Sequence, residues 1–127
     1  MRYLLDTHIF IWWILDHPKL LKSFRDIIGD SSNELFFSSA SAWEIVIKAT
    51  LGKLSLPGNA VEWIRKHLDF NRINALPITV EHALMLHELP NLHKDPFDRI
   101  MVAQARCEGL TIITDDEWIA KYAVKTA

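Results

Sequence analysis

The stretch Tyr3-Leu4-Leu5-Asp6-Thr7-His8 sets the expected fold of this chain. Its apolar residues predict a short strand that ends at Asp6, and the pattern of residues 7–15 predicts a helix directly after it. Asp6 therefore stands where a strand leaves its sheet, at a position with no obvious packing role. The chain thus begins with a strand-to-helix unit whose turn carries a carboxylate.

Short apolar runs and longer amphipathic runs alternate along the rest of the chain. Further strands are predicted at residues 35–37, 73–76 and 110–113. Helices are predicted at residues 18–28, 43–51, 59–68, 79–88, 96–108 and 115–121. This alternation predicts an α/β fold, a three-layer α/β/α sandwich around a central parallel sheet. Since the sequence has no repeat or linker, residues 1–127 are expected to form a single domain.

Composition excludes several classes of protein. Of the 127 residues, 50% are hydrophobic and 24% are charged, with only 4 Gly and 5 Pro. These values disfavour collagen-like, coiled-coil and disordered chains. The single Cys107 cannot form an internal disulfide, which fits a reducing cytosol. The apolar run at residues 9–15 is shorter than the ~20 residues of a membrane helix and lacks the flanks of a signal peptide. We therefore expect a cytoplasmic protein with no membrane partner.

Acidic residues recur where predicted strands and helices meet. They stand in four segments, namely Asp6, Glu44, Asp95 with Asp98, and Asp115 with Asp116. Because ligands of parallel sheets bind beyond the carboxyl ends of the strands, these segments are expected to deliver carboxylates to one rim. Hard divalent cations such as Mg²⁺ or Mn²⁺ take oxygen ligands, so the pattern favours a metal site at that rim.

Each acid also has a purely structural explanation. Acidic residues favour helix N-termini, where the helix dipole is positive. Ser41 and Glu44 fit a capping box, Thr114 and Glu117 fit another, and Glu44 is placed to pair with Lys48 one turn later. Helix capping and ion pairing can explain each acid by itself, but they explain less well why the acids occur together at the ends of the predicted strands.

Histidine, cysteine and tryptophan give weaker signals. The six histidines show no zinc-binding spacing, so they are expected to be hydrogen-bonded in the core or to face solvent. Cys107, Trp43 and Trp63 lie on helical patterns and are expected in the core. Trp12 and Trp13 are adjacent, and neighbours in a helix point about 100° apart, so one of them is expected to serve an interface with a subunit, a partner helix or a base.

Four segments resemble the PIN-domain family, in particular its VapC-type toxins. They are YLLDTH at residues 3–8, SASAWEIVIK at 39–48, HKDPFDR at 93–99 and ITDD at 113–116, and they occur in order over nearly the whole chain. The resemblance implies a PIN-like fold and a metal-dependent endoribonuclease that is the toxin of a toxin–antitoxin pair. It also implies RNA as substrate, a VapB-type antitoxin as partner, and a homodimer.

The resemblance also assigns the acids. The acidic quartet of the family maps onto Asp6, Glu44, Asp98 and Asp116. Asp98 is preferred to Asp95 because an apolar run follows it at residues 100–103. Asp116 is preferred to Asp115 by its distance from the apolar residues between 118 and 122.

The residues and the resemblance together suggest one chemistry. Asp6 and Asp98 would hold Mg²⁺ or Mn²⁺ most directly, and the other two acids would act through water or hold a second ion. The ion would activate a water for in-line hydrolysis of an RNA phosphodiester. Thr7 and Thr114 are expected to orient the ligands or waters, and Lys48 or Arg99 either contacts the RNA backbone or pairs with a neighbouring acid.

Two other functions fit part of the pattern. A phosphate-receiver signalling domain has a similar length and an acidic metal site, but receivers usually place paired acids after the first strand, where this chain has Asp6 alone. The other alternative is a non-catalytic α/β binding domain whose acids only cap helices.

Net charge taken alone argues against RNA as a partner. The chain carries −2 with a pI of about 6.3, whereas proteins that bind phosphate backbones commonly have a basic excess. If four of the 16 acidic residues belong to one metal site, 12 remain against 14 basic residues, a balance of +2. The net charge therefore does not exclude RNA, and RNA binding is expected to depend on the divalent ion.

Overall fold

The computed structural model describes residues 1–92, 95–122 and 126–127. Strands and helices alternate along these residues, as the sequence predicts. The strands are β1 (Arg2–Leu5), β2 (Glu34–Ser38), β3 (Asn74–Leu76) and β4 (Thr111–Ile113). The helices are α1 (Thr7–Ile14), α2 (Lys22–Gly29), α3 (Ser39–Thr50), α4 (Ala60–Phe70), α5 (Val80–Met85), α6 (Pro96–Glu108) and α7 (Glu117–Ala120), with a 3₁₀ turn at Leu86–Glu88.

The four strands form one parallel sheet in the order β3-β2-β1-β4. β1 lies in the interior of the sheet, where Tyr3 pairs with Leu35 of β2 on one side and with Thr111 of β4 on the other. Leu4 and Leu5 are fully buried, as expected for a strand covered on both faces. The strands therefore all end at the same edge of the sheet.

The core has two parts, one on each face of the sheet. Successive strand residues point to opposite faces, so Tyr3 and Leu5 belong to one cluster and Leu4 belongs to the other. α1, α2 and α4 supply the first cluster, and α6 and α7 supply the second. The predicted three-layer α/β/α sandwich is confirmed.

Some local predictions are confirmed and others are wrong. Trp63 is buried, and so is His82, whose ring accepts from the Thr79 amide and lies 2.9 Å from Glu108. Trp43 was expected in the core but is 61% exposed, because α3 turns another face inward. Cys107 was also expected in the core but is exposed, because the buried run of α6 ends at Ala105.

Helix limits differ from the prediction mainly at the starts of α2 and α3. The helix predicted for residues 43–51 begins at Ser39. The helix predicted for residues 18–28 begins at Lys22, and Gly29 is its last residue. Across the described parts of the chain, no helix is both long enough and apolar enough to cross a bilayer.

Gly109 ends α6 in the left-handed conformation, with φ of 67°. A Cβ there would meet no atom within 4 Å, so only backbone strain opposes a larger residue. We expect Gly109→Ala to lower the free energy of unfolding by about 1 kcal/mol in urea denaturation. Gly29→Ala is the control, since Gly29 is helical and its Cβ would make only an ordinary 3.7 Å contact with Trp13. Equal losses in both variants would contradict this explanation.

Candidate active site

A cavity of about 340 Å³ opens at the carboxyl edge of the sheet. Carboxylates from four separate segments line it, and they are Asp6, Glu44, Asp95, Asp98 and Asp116. Asp6 follows β1, Glu44 projects from α3, Asp95 and Asp98 stand at the start of α6, and Asp116 follows β4. The structure therefore brings together the four acids that the sequence singled out.

Asp6 is held at the floor of this cavity by hydrogen bonds to both carboxylate oxygens. Its side chain is 3% exposed. Oδ1 accepts from the Thr7 amide at 2.7 Å, which makes Asp6 the N-cap of α1, and Oδ2 accepts from the Thr114 hydroxyl at 2.7 Å. Burial raises the pKa of Asp6, and the negative charge of Asp116 adds to the rise. A nearby cation would reverse this effect by favouring the carboxylate.

Glu44 is not the capping residue that the sequence allowed. α3 begins at Ser39, and its N-cap is Ser38, whose hydroxyl accepts from the Ala40 amide at 3.0 Å. The capping box of Ser41 and Glu44 is therefore wrong, since both lie inside the helix. Glu44 is only 8% exposed, a burial that an N-terminal capping role does not explain.

Lys48 pairs with Glu44, as its position one turn later predicted. The ammonium nitrogen lies 2.9 Å from Glu44 Oε2. The hydrogen bond to Glu44 raises the pKa of Lys48, and the charges of Asp95 and Asp98 raise it further. Lys48 therefore serves as a counter-cation for several carboxylates of the cavity.

Both acids at the start of α6 reach the cavity. Asp95 caps the helix, because its Oδ1 accepts from the Phe97 amide at 2.9 Å and the Asp98 amide at 3.4 Å. Asp98 lies in the first turn and is 9% exposed. The choice of Asp98 over Asp95 stays a prediction. The first two residues of the HKDPFDR motif, at positions 93 and 94, lie outside the described residues.

The two acids after β4 have different surroundings. Asp116 lines the cavity and caps α7 by accepting from the Trp118 amide at 2.8 Å. Asp115 is exposed and does not line the cavity, but it bonds to the His8 ring. The predicted box of Thr114 and Glu117 is wrong, since Asp116 is the N-cap of α7.

The two threonines that were expected to orient the site each join two elements. The Thr114 hydroxyl donates to Asp6 and accepts from the Asp116 amide at 3.0 Å, so it fixes one acid relative to the other. The Thr7 hydroxyl donates to Ser41 Oγ at 2.8 Å, and Ser41 in turn contacts Met101 Sδ at 3.3 Å. These contacts tie α1, α3 and α6 together beneath the carboxylates.

Among the other lining residues, three carry an aromatic ring or a charge and were not singled out for this site by the sequence: His8, Trp12 and Lys53. His8 and Trp12 both come from α1, where they lie four residues apart and so on the same side of the helix. Lys53 returns to the cavity because Gly52 takes a positive φ of 72° after α3, and its amide then bonds to the Lys48 carbonyl at 2.9 Å. In the sequence, Gly52 was the one indication that the chain turns back after α3 and places Lys53 near the cavity.

The donor set of the cavity fits a hard divalent cation, although the side chains are not arranged around one. Carboxylate and hydroxyl oxygens are the ligands that Mg²⁺ and Mn²⁺ prefer. As placed, the described residues contain no group of three or more Asp, Glu, His or Cys side chains that could hold one ion. Glu44 is bonded to Lys48, and this ammonium shows that the carboxylates already attract a cation.

Sequence comparison gives one family match over nearly the whole chain. Residues 3–125 match the model of the PIN domain. Ribonuclease VapC16 of Mycobacterium tuberculosis is 35% identical over 75 residues, which cover 56% of this chain and 52% of that protein. Ribonuclease VapC22 of the same organism is 25% identical over 114 residues, which cover 89% of this chain and 85% of that protein. The match thus spans about half the length of the first relative and most of the second.

Structure comparison supports the same fold. The crystal structure of VapBC2 from Rickettsia felis, bound to a DNA fragment from its promoter, contains a chain that superposes with a TM-score of 0.74. The two chains are 17% identical, and the superposition covers 100% of this chain and 98% of the other. At this identity the likeness establishes the fold alone.

Proposed function

The chain belongs to the PIN domain family, and from this premise we propose that it is a metal-dependent endoribonuclease that hydrolyses RNA phosphodiester bonds. The observation that carries the proposal is the convergence of carboxylates from four segments on one cavity. The names of VapC16 and VapC22 as ribonucleases support RNA as the substrate. Cleavage of purified RNA in the presence of Mn²⁺, and its loss on addition of a chelator, tests the proposal.

We propose that Asp6, Glu44, Asp98 and Asp116 hold Mg²⁺ or Mn²⁺. Asp6 and Asp98 are the most buried of the acids at the ends of the elements, so they are assigned direct contact with the ion. Glu44 and Asp116 act through water or hold a second ion. When bound, the cation lowers the pKa of a water and offsets negative charge on the scissile phosphate.

The remaining groups of the chain position this carboxylate set. Thr114 fixes Asp6 relative to the Asp116 backbone through its hydroxyl, and the Thr7 amide fixes the other oxygen of Asp6. Lys48 neutralises Glu44, which is the ion pair that the sequence offered as an alternative to contact with RNA. No residue is required as a covalent nucleophile, so hydrolysis proceeds by in-line attack of water.

The two rival functions have less support. A phosphate receiver is disfavoured by the family match and by the single acid after β1. In a binding domain the acids would only cap helices, and Asp6, Asp95 and Asp116 do cap α1, α6 and α7. However, Glu44 is buried in the middle of α3 and caps nothing, and all five acids face one cavity.

We further propose that residues 1–127 act as one PIN domain, as the toxin of a VapBC-type pair in the cytoplasm. A VapB-type antitoxin and a second copy of the chain are the proposed partners. Their support is the family and the superposition on a VapBC2 complex. An apolar cleft of about 260 Å³ between α3 and α6 offers surface for a partner, with Trp43 exposed at its edge.

Lys48 competes with a metal ion for the carboxylates in this account. We expect Lys48→Met to tighten Mn²⁺ binding by about fivefold, because a positive charge is removed beside Glu44 while all carboxylates stay. Isothermal titration calorimetry of the two proteins measures the change. Lys22→Met is the matched control, since Lys22 pairs with Asp26 on α2 and does not line the cavity. Weaker Mn²⁺ binding to Lys48→Met would show that Lys48 supports the metal site instead of competing with it.

A further inference from the structure

Trp12 and Trp13 have different surroundings, although they are adjacent in the sequence. Trp13 donates its indole N–H to Asn71 Oδ1 at 3.1 Å and so ties α1 to the end of α4. Trp12 points about 100° away along the helix and lines the carboxylate cavity instead. Both residues are half-buried and pack against the first core cluster. Only Trp12 also lines the carboxylate cavity.

Trp12 is the centre of a row of aromatic rings, which we call the aromatic row, formed by His8, Trp12 and His17. The His8 and Trp12 rings meet edge to face, with centroids 4.9 Å apart and an interplanar angle of 78°. Trp12 and His17 are stacked, with centroids 5.4 Å apart and an angle of 20°. His8 is fixed in turn by its bond to Asp115. The rings are therefore held in a defined arrangement before any ligand arrives.

The walls of the cavity differ in chemistry. α1 contributes His8 and Trp12, whereas α3 and the turn after it contribute Lys48 and Lys53. The carboxylates lie at the edge of the sheet in the same cavity. Since Lys48 is paired with Glu44, the ammonium group available to a phosphate is that of Lys53. A flat apolar wall, this ammonium group and a set of cation-binding carboxylates match the three parts of a nucleotide, which are a base, a flanking phosphate and a scissile phosphate. The volume of about 340 Å³ is near the lower end of the ~300–1,000 Å³ of small-ligand pockets, so it suits one nucleotide.

We propose that Trp12, supported by the neighbouring rings of the aromatic row, is the stacking surface for the base next to the scissile phosphate. A base can stack on Trp12 only where it is not stacked within a helix of its own. Trp12 is then a substrate-binding residue of the active site. This inference rests on the proposed function, because it places the scissile phosphate at the carboxylates.

The test compares two small probes that share a ribose phosphate and differ only in the base. Adenosine 5′-monophosphate and ribose 5-phosphate are titrated into the protein in Mg²⁺, and their dissociation constants are measured by calorimetry. The native protein is expected to bind the nucleotide about tenfold more tightly, which lies within the range of about 5- to 150-fold that a stacked base contributes. Trp12→Leu is expected to lose this preference and to keep its affinity for ribose 5-phosphate, while Trp12→Phe retains most of it.

Phe70→Leu is the control variant, because Phe70 is 79% exposed on α4 and does not line the cavity. It is expected to keep the full preference for the nucleotide. Unchanged binding of ribose 5-phosphate to Trp12→Leu shows that the variant is folded. A native protein with equal affinity for both probes, or with affinity for neither, overturns the inference, and so does a Trp12→Leu variant that keeps the preference.

The outcome is separable from that of the proposed function. If the base preference depends on Trp12 but RNA is not cleaved, the ribonuclease proposal fails and the base site stands. If RNA is cleaved but the two probes bind with equal affinity, the stacking proposal fails and the ribonuclease proposal stands.

Discussion

Replacing Asp98 with asparagine is expected to lower the rate of Mn²⁺-dependent RNA cleavage by about a thousandfold or more. The side chain keeps its shape but loses the negative charge that is proposed to hold the cation directly. Loss of a bound cation removes several kcal/mol of stabilisation from the transition state, and each 1.36 kcal/mol corresponds to about tenfold in rate. The measurement is the initial rate of cleavage of a fluorescently labelled RNA by the native and variant proteins.

The fold should survive this change. Asp98 lies in the first turn of α6, where the loss of one negative charge costs about 1–2 kcal/mol of stability. Circular dichroism of Asp98→Asn should therefore match that of the native protein. Asp26→Asn is the control, since Asp26 lies on the exposed side of α2 and pairs with Lys22. A folded Asp98→Asn protein with undiminished activity would remove Asp98 from the site.

Mn²⁺ is expected to stabilise the native fold by about 2.7 kcal/mol when its free concentration is about 100 times its dissociation constant. For a domain of this size the midpoint of thermal unfolding should rise by about 10 °C. The physical reason is electrostatic, because carboxylates from four segments are brought together on folding and a cation relieves their mutual repulsion. The effect of Asp116 on the pKa of Asp6 is one sign of that repulsion.

The same thermal measurement on Asp98→Asn is expected to show less than half of that rise. KCl at equal ionic strength is the control for general screening, and it should shift the midpoint by much less than Mn²⁺. An equal rise in KCl, or an undiminished rise in Asp98→Asn, would contradict a specific cation site. This readout does not depend on RNA cleavage, so it tests the metal site by itself.

Much of the fold follows from local patterns in the sequence. The apolar run before Asp6 and the run at residues 110–113 are both buried strands, because short apolar runs alternating with amphipathic ones need a sheet covered on both faces. The start of α2 did not follow from such a pattern. Residues 18–21 stay outside the helix, and the Arg25 guanidinium holds this turn by bonding to the carbonyls of His17 and Leu20. These contacts run from a side chain to the backbone of a nearby turn, and they leave no periodic signal in the sequence.

The candidate site was predictable as a set of acids at one rim, because the strands of a parallel sheet all end at the same edge. Which segments are neighbours at that rim depends on the strand order, which places β1 between β2 and β4, and periodicity carries no information on strand order. Trp43 was misplaced for a related reason. α3 turns the polar side chains of Ser41 and Glu44 inward to build the site, so the usual preference for the larger apolar residue is overridden there.

The most direct test of the central claim uses a circular single-stranded RNA, which has no ends for an exonuclease. The native protein is incubated with this RNA in Mn²⁺, in EDTA, and in EDTA followed by excess Mn²⁺, beside an identical preparation of Asp98→Asn. A metal-dependent endoribonuclease is expected to linearise the circle in the first and third conditions only, and the variant should leave it closed. Cleavage that persists in EDTA, or a circle that stays closed with the native protein in Mn²⁺, would contradict the account.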